Sequence, residues 1–182
     1  DIRTKIITNG KSLTSENVSQ IKKSGVSSVG ISLDGLEKTH NYIRNDKNLF
    51  KMVFRSIDNL IQSDIPVTVI TAVNMLNVKE LNHLFKLLNS VGIDAWQIQP
   101  LFPLGRTDEL PELKLTIEGY LEMDRYIKEN MAITDKDDLK IILADSYGYF
   151  AGGPDKELSW HGCNAGIVSC GITSDGYVKG CL

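Results

Sequence analysis

A chain of 182 residues with 42% apolar and 24% charged residues is sized for one substantial hydrophobic core. Its net charge of −3 supplies no basic field for nucleic acid or an anionic membrane, and no apolar run reaches membrane-spanning length. Three cysteines are too few, and odd in number, for a disulfide framework, so the composition points to a reducing cytoplasm.

The chain opens on "DIRTKIITNG", already in an extended apolar run without an initiator Met, and closes one residue after its last cysteine. Both ends read as cuts, the expectation being a fragment of a longer protein. The run "TKIITN" predicts a first strand over 4–9, and a weak helical pattern over 14–24 stops at Gly25. A second strand follows over 27–34 ("SSVGISLD"). The 3–4 spacing of Leu49, Val53, Phe54, Ile57, Leu60 and Ile61 then predicts a helix over 49–63. Pro66 bars that helix from running into the third strand, 66–74 ("PVTVITAVN"). Val78, Leu81, Leu84, Phe85, Leu88 and Val91 line one face of a helix over 78–91 that ends at Gly92, with His83 on its polar side. A fourth strand (94–101), a weaker helix (116–130) and a fifth strand (139–145) complete the rhythm.

These strands are continuous and rich in β-branched residues, as parallel strands covered on both sides are. Four βα units and a fifth strand give an α/β fold with a parallel sheet. Periodicity alone does not separate a barrel from a doubly wound sheet, though five strands are too few for a closed eight-stranded barrel. Residues 146–162 have no apolar period and read as a linker, with the run "DKDD" (135–138) a solvated loop before it. "GIVSCGIT" and "YVKGCL" then form a hairpin around "SDG". With Asp175 and Gly176 as a two-residue turn, Cys170 lies opposite Cys181; a three-residue turn breaks that register.

Ligands of parallel α/β folds gather at the carboxyl ends of strands. Polar residues recur there: Thr8-Asn9-Gly10, Ser32 and Asp34-Gly35, Asn74, then Gln97 and Gln99. Any one of them is ordinary for the start of a loop. "SLDG" followed by His40 and Arg44 is more pointed, setting a hydroxyl, a carboxylate and a guanidinium where an amino-acid-like ligand is held by its own carboxylate and ammonium. There is no P-loop, no dinucleotide glycine fingerprint, no nucleophile elbow and no histidine pair at metal spacing. His161 beside Cys163 is a loop histidine. All three cysteines, Cys163, Cys170 and Cys181, fall within nineteen residues around the hairpin. Thiolates around a tight β-turn ligate zinc or an iron–sulfur cluster, and a Cys170–Cys181 disulfide is the competing structural reading.

"IITNG" (6–10), "GISLDG" (30–35) with His40 and Arg44, and "GCNAG" leading to "DGYVKGC" resemble radical S-adenosylmethionine enzymes with a C-terminal SPASM domain. That group includes anaerobic sulfatase maturases, pyrroloquinoline-quinone biosynthesis enzymes and other peptide-modifying enzymes. The spacing C-x12-G-x4-C from Cys163 through Gly176 to Cys181 is the most specific part of the likeness. The resemblance implies a partial (βα)6 TIM-like barrel lacking its first two strands over 1–145, the linker, and the truncated start of an iron–sulfur SPASM domain over 163–182. It implies S-adenosylmethionine bound to a [4Fe–4S] cluster, whose electron releases a 5′-deoxyadenosyl radical that abstracts a substrate hydrogen. By position, Asn9, Ser32, Asp34, Arg44 and Asn74 would line the cofactor site, with Ser32 and Arg44 on its methionyl portion. Cys163 and Cys181 would hold an auxiliary cluster, Cys170 standing outside the spacing. A peptide or protein substrate and an electron donor such as flavodoxin or ferredoxin follow as partners.

The radical-cluster motif C-x3-C-x2-C is absent from this sequence, so the chain alone is expected to be inactive. Leu182 stands where sulfatase maturases place an Asp, which counts against that substrate. The competing reading is a non-catalytic α/β domain with a zinc-binding hairpin. An ordinary barrel lyase or aldolase is a third, and it lacks a lysine at the strand ends.

Overall fold

The structure, a computed structural model, describes residues 2–102, 109–131, 139–144, 163 and 165–181. The expected linker 146–162, the "DKDD" run and His161 lie outside the described residues. Two compact units divide the chain, residues 1–142 and 143–182.

The first unit is an α/β sheet in sequence order. β1 (Lys5–Thr8), β2 (Ser28–Ser32), β3 (Val67–Val73), β4 (Ala95–Pro100) and β5 (Lys140–Leu143) lie side by side in that order, and the pairings from β1 to β4 are parallel. Between them run α1 (Ser15–Lys23), α2 (Glu37–Arg44), α3 (Leu49–Gln62), α4 (Leu81–Val91) and α5 (Ile117–Met131). A doubly wound sheet needs its strand order to reverse. This order never does, and right-handed crossovers in an unreversed order place every helix on one face, as in a barrel wall. Topology thus decides what periodicity left open.

Register shows the two faces. Val29 pairs with Val67, Ile31 with Val69, and Val69 with Trp96, so these residues share a face, and all are fully buried. Leu49, Val53, Ile57 and Leu60 of α3 and Leu81, Leu84 and Leu88 of α4 are buried too. On the opposite face Ser32 pairs with Ile70, Ile70 with Gln97, and Ala72 with Gln99. All five are only half-buried.

Local chemistry sets the element ends. The Thr14 hydroxyl caps α1 by accepting the Asn17 N–H at 3.3 Å. α4 stops at Gly92, whose φ of +78° is left-handed. The helix α2 is an addition to the expected rhythm. Its sequence "EKTHNYIR" buries only His40 and so shows no apolar stripe to read.

In the second unit the hairpin is present as β6 (Gly171–Ile172) and β7 (Val178–Lys179). Gly171 pairs with Lys179 and Ile172 with Val178. The Gly176 N–H donates to the Thr173 carbonyl at 2.9 Å, and the Thr173 N–H to the Tyr177 carbonyl at 2.9 Å. The turn is therefore three residues, Ser174-Asp175-Gly176, with Gly176 left-handed at φ +88°. The two-residue turn is corrected, and with it the register: Cys170 falls opposite Gly180, and Cys181 opposite Ser169.

Candidate functional site

At the carboxyl edge of β2 the chain builds a small polar assembly around Asp34. The residue is 2% exposed, and every polar group it carries is engaged. Its N–H donates to His40 Nδ1 at 3.0 Å. Its carbonyl accepts from Asn77 Nδ2 at 2.9 Å. One carboxylate oxygen accepts the Ala72 N–H of β3 at 3.0 Å, and the other meets Arg44 Nε at 2.5 Å. A carboxylate this deep is tolerated only when paired and bonded in this way.

Arg44 ends α2 and stays partly open, with 29% of its side chain exposed. Its Nε is committed to Asp34, while its two Nη groups have no hydrogen bond among the described residues. That leaves two Nη groups of a planar fork on an anchored, partly open base, the donor set that takes a carboxylate. Ser32, the last residue of β2, is half-buried, and its hydroxyl has no hydrogen bond among the described residues. Ser32 and Arg44 thus hold unengaged donors at one strand end, whereas Asp34 faces Arg44 rather than open space.

Asn9 is exposed, and its Oδ1 accepts the Lys11 N–H at 3.0 Å. Beside it Gly10 adopts φ +80°, where a Cβ would come to 3.2 Å of Ile31 Cγ2. Ser56 of α3 donates to the Gly10 carbonyl at 2.5 Å, so the "TNG" turn is clamped onto the helix layer. Lys11 reaches Asp46 at 2.8 Å, tying this turn to the loop after α2. That contact and the Asn48 N–H hold the Asp46 carboxyl below its usual range.

Asn74 is 1% exposed, and its amide serves its own loop. Oδ1 accepts the Leu76 N–H at 3.0 Å, and Nδ2 donates to the Ala72 carbonyl at 3.0 Å. The arrangement shows it as an organiser of the β3–α4 turn. Three more residues shape the site: Asn77 and Glu80, which were not in the expected set, and His40, which was singled out beside Arg44 without a role. Asn77, fully buried, accepts the Asn74 N–H at 2.8 Å and donates to Asp34. Glu80 accepts the Leu36 N–H at 2.8 Å and the Thr39 hydroxyl at 2.6 Å. His40, fully buried, supports the Asp34 backbone, and burial pushes its imidazole down to about 4. The spacing Asn77-x-x-Glu80 before an apolar run is a capping signal visible in sequence. In the structure Glu80 turns to a different helix start.

The three cysteines are exposed thiols rather than disulfides. The Ala165 N–H donates to Cys163 Sγ at 3.4 Å. A Cβ on Gly180 would lie 3.4 Å from Gly166 Cα, so the segment after Cys163 packs against the residue before Cys181. Among the described residues no three His, Cys, Asp or Glu side chains converge as a metal site. A [4Fe–4S] cluster ligated by cysteine alone takes four thiolates, so these three thiols do not complete one.

Fold and site define an open wall of βα units with its polar groups at the carboxyl edge. Residues 1–88 match the family model of the Radical SAM superfamily. The chain is 27% identical over 199 residues to an AdoMet-dependent heme synthase of Methanosarcina barkeri, covering 99% of this chain and 55% of that protein. It is 25% identical over 183 residues to the sporulation killing factor maturation protein SkfB of Bacillus subtilis, covering 97% of this chain and 41% of SkfB. In fold it is similar to Streptococcus suis SuiB bound to S-adenosylmethionine, with a TM-score of 0.70 at 14% identity over 100% of this chain and 43% of SuiB. SuiB has also been solved with its precursor peptide SuiA. The chain spans about half the length of the curated relatives it matches.

Proposed function

We propose that this chain contributes the S-adenosylmethionine-binding wall of a radical S-adenosylmethionine enzyme that modifies a peptide or protein. The carrying observation is the Asp34–Arg44 pair, which anchors a partly exposed guanidinium at the strand end where the unengaged Ser32 hydroxyl closes β2. That donor set fits the methionyl end of S-adenosylmethionine. Arg44 Nη groups take the carboxylate in a bidentate contact and Ser32 Oγ completes the cradle. Asp34 keeps Arg44 from rotating away, and Asn74 shapes the turn behind it. Asn9, at the exposed end of β1, lines the same edge toward the nucleoside. The chemistry that S-adenosylmethionine and a [4Fe–4S] cluster supply together when bound is hydrogen abstraction by a 5′-deoxyadenosyl radical, with the electron drawn from a flavodoxin or ferredoxin.

Cys163 and Cys181 would contribute part of the ligand set of an auxiliary cluster, with Cys170 outside it. The peptide substrate is supported by the likeness to SkfB and SuiB. A tetrapyrrole substrate is the second reading, favoured by the 27% identity to a heme synthase over nearly the whole chain.

The test uses the full-length protein, reconstituted anaerobically with iron and sulfide and reduced. Formation of methionine and 5′-deoxyadenosine, lost in Arg44→Ala and weakened in Ser32→Ala, supports the reading. Stoichiometric zinc without iron, or turnover indifferent to Arg44, overturns it. Candidate peptides and an iron porphyrin, offered separately, decide between the substrate classes.

A further inference from the structure

We infer that Glu80 is a positioning residue for Arg44, acting through the start of α2; this rests on the reading of Arg44 as the contact to the methionyl carboxylate. Leu36 immediately precedes α2 and brings no side-chain acceptor to cap it. The missing acceptor comes from Glu80, 44 residues later, whose Oε2 takes the Leu36 N–H at 2.8 Å. Its Oε1 takes the Thr39 hydroxyl at 2.6 Å, fixing the first turn of the same helix. A carboxylate at this end also complements the helix dipole.

Gly35 shows that space is reserved for this carboxylate. A Cβ there would lie 2.8 Å from Glu80 Oε2 and 2.8 Å from Thr39 Cγ2. The helix so held is short, eight residues or roughly 12 Å. Arg44 is its last residue, so a tilt at the Leu36 end moves the guanidinium at the other. Asp34, the other half of the ion pair, is held by Asn77 of the same β3–α4 turn. One turn therefore sets the position of both partners, with Asn77 fully buried and both Glu80 oxygens engaged by the start of α2.

The full-length anaerobic protein provides the test, with two probes. S-adenosylmethionine carries the amino-acid group that Arg44 would grip, while 5′-methylthioadenosine lacks it. Glu80→Ala is expected to weaken S-adenosylmethionine binding roughly 10-fold by calorimetry, the loss of a charge-assisted contact, and to leave 5′-methylthioadenosine within about 2-fold. Glu80→Gln keeps an acceptor for Leu36 and restores affinity to within about 3-fold. Combined with Arg44→Ala, Glu80→Ala adds nothing further. Should Glu80→Ala fail to fold, Thr39→Val removes one of the two bonds and should show the same pattern at about 3-fold. Equal weakening of both probes, or of neither, overturns the inference. If Arg44→Ala binds S-adenosylmethionine like wild type, the site reading falls and this inference with it. If Arg44→Ala is weakened while Glu80→Ala is not, the inference alone falls.

Discussion

The Asp34 N–H donates to His40 Nδ1 at 3.0 Å, so a fully buried imidazole must keep that nitrogen unprotonated for the site to hold its shape. The ring packs edge-on near Phe50, with centroids 6.3 Å apart. Burial is the largest cause lowering its pKa from 6.5 to about 4, the Asp34 charge opposes it, and the Arg44 charge adds to it. Because the folded value lies below the unfolded one, protonation favours the unfolded chain. The contribution is fully present above pH 6.5 and is lost as pH falls from 6.5 to about 4. By linkage the loss between pH 7 and pH 5 is about 2 kcal/mol. Urea unfolding at the two pH values should show that difference in wild type and lack most of it in His40→Asn, whose amide oxygen can still accept the Asp34 N–H. A variant with the wild-type pH dependence would remove His40 from this role.

Two left-handed glycines should respond unequally to the same substitution. Gly92 has φ +78°, and a Cβ there would find nothing within 4 Å, so Gly92→Ala meets only backbone strain, about 1 kcal/mol. Gly35 has φ +149° and sits against Glu80 and Thr39. Gly35→Ala adds a collision to the strain and should cost about 2–3 kcal/mol. Thermal unfolding ranks the two, and equal losses would mean that the Gly35 loop moves aside at little cost.

Much of the wall was legible because its signals are local. Pro66 and Gly92 punctuate the chain by fixed rules of backbone geometry, and the stripe of α3 lies within one helix. Helix α2 was not legible because its eight residues bury only His40 and its start is capped from elsewhere. The same cause hid Asn77 and Glu80. Their partners lie 43 and 44 residues back, and no local pattern encodes that pairing. Ser32 and Arg44 were visible as residues, yet the structure alone separates Asp34, which holds Arg44, from the groups that remain open. The hairpin erred by one residue because Gly176, not Asp175 with it, supplies the left-handed position of a longer turn.

The buried hydroxyl of Thr71 joins two parts of the wall. It accepts Trp96 Nε1–H at 2.8 Å and donates to the Leu33 carbonyl at 2.7 Å, and all three residues are fully buried. Thr71→Val keeps the shape but strands an indole donor and a carbonyl, at a cost of about 2–4 kcal/mol. Thr71→Ser retains both bonds and should lose under about 1.5 kcal/mol, mainly from the missing methyl. Chemical denaturation of the pair separates the hydrogen bonds from the packing.

The hairpin register makes a covalent prediction. Residues directly opposite in an antiparallel pair share a face, and neighbours along a strand alternate. Continuing the Gly171–Lys179 and Ile172–Val178 pairs places Cys170 on the face of Gly180, hence on the face away from Cys181. Mild oxidation of a Cys163→Ser variant of the full chain should therefore leave Cys170 and Cys181 unbridged. Inserting one Thr between Cys170 and Gly171 leaves the turn alone, moves Cys170 one position along the ladder and brings the two thiols face to face. Peptide mapping under non-reducing conditions should find the Cys170–Cys181 disulfide in the insertion variant alone. A disulfide in the chain without the insertion would show that the three-residue turn does not persist in solution, and it would return Cys170 to the same side as the proposed cluster ligand Cys181.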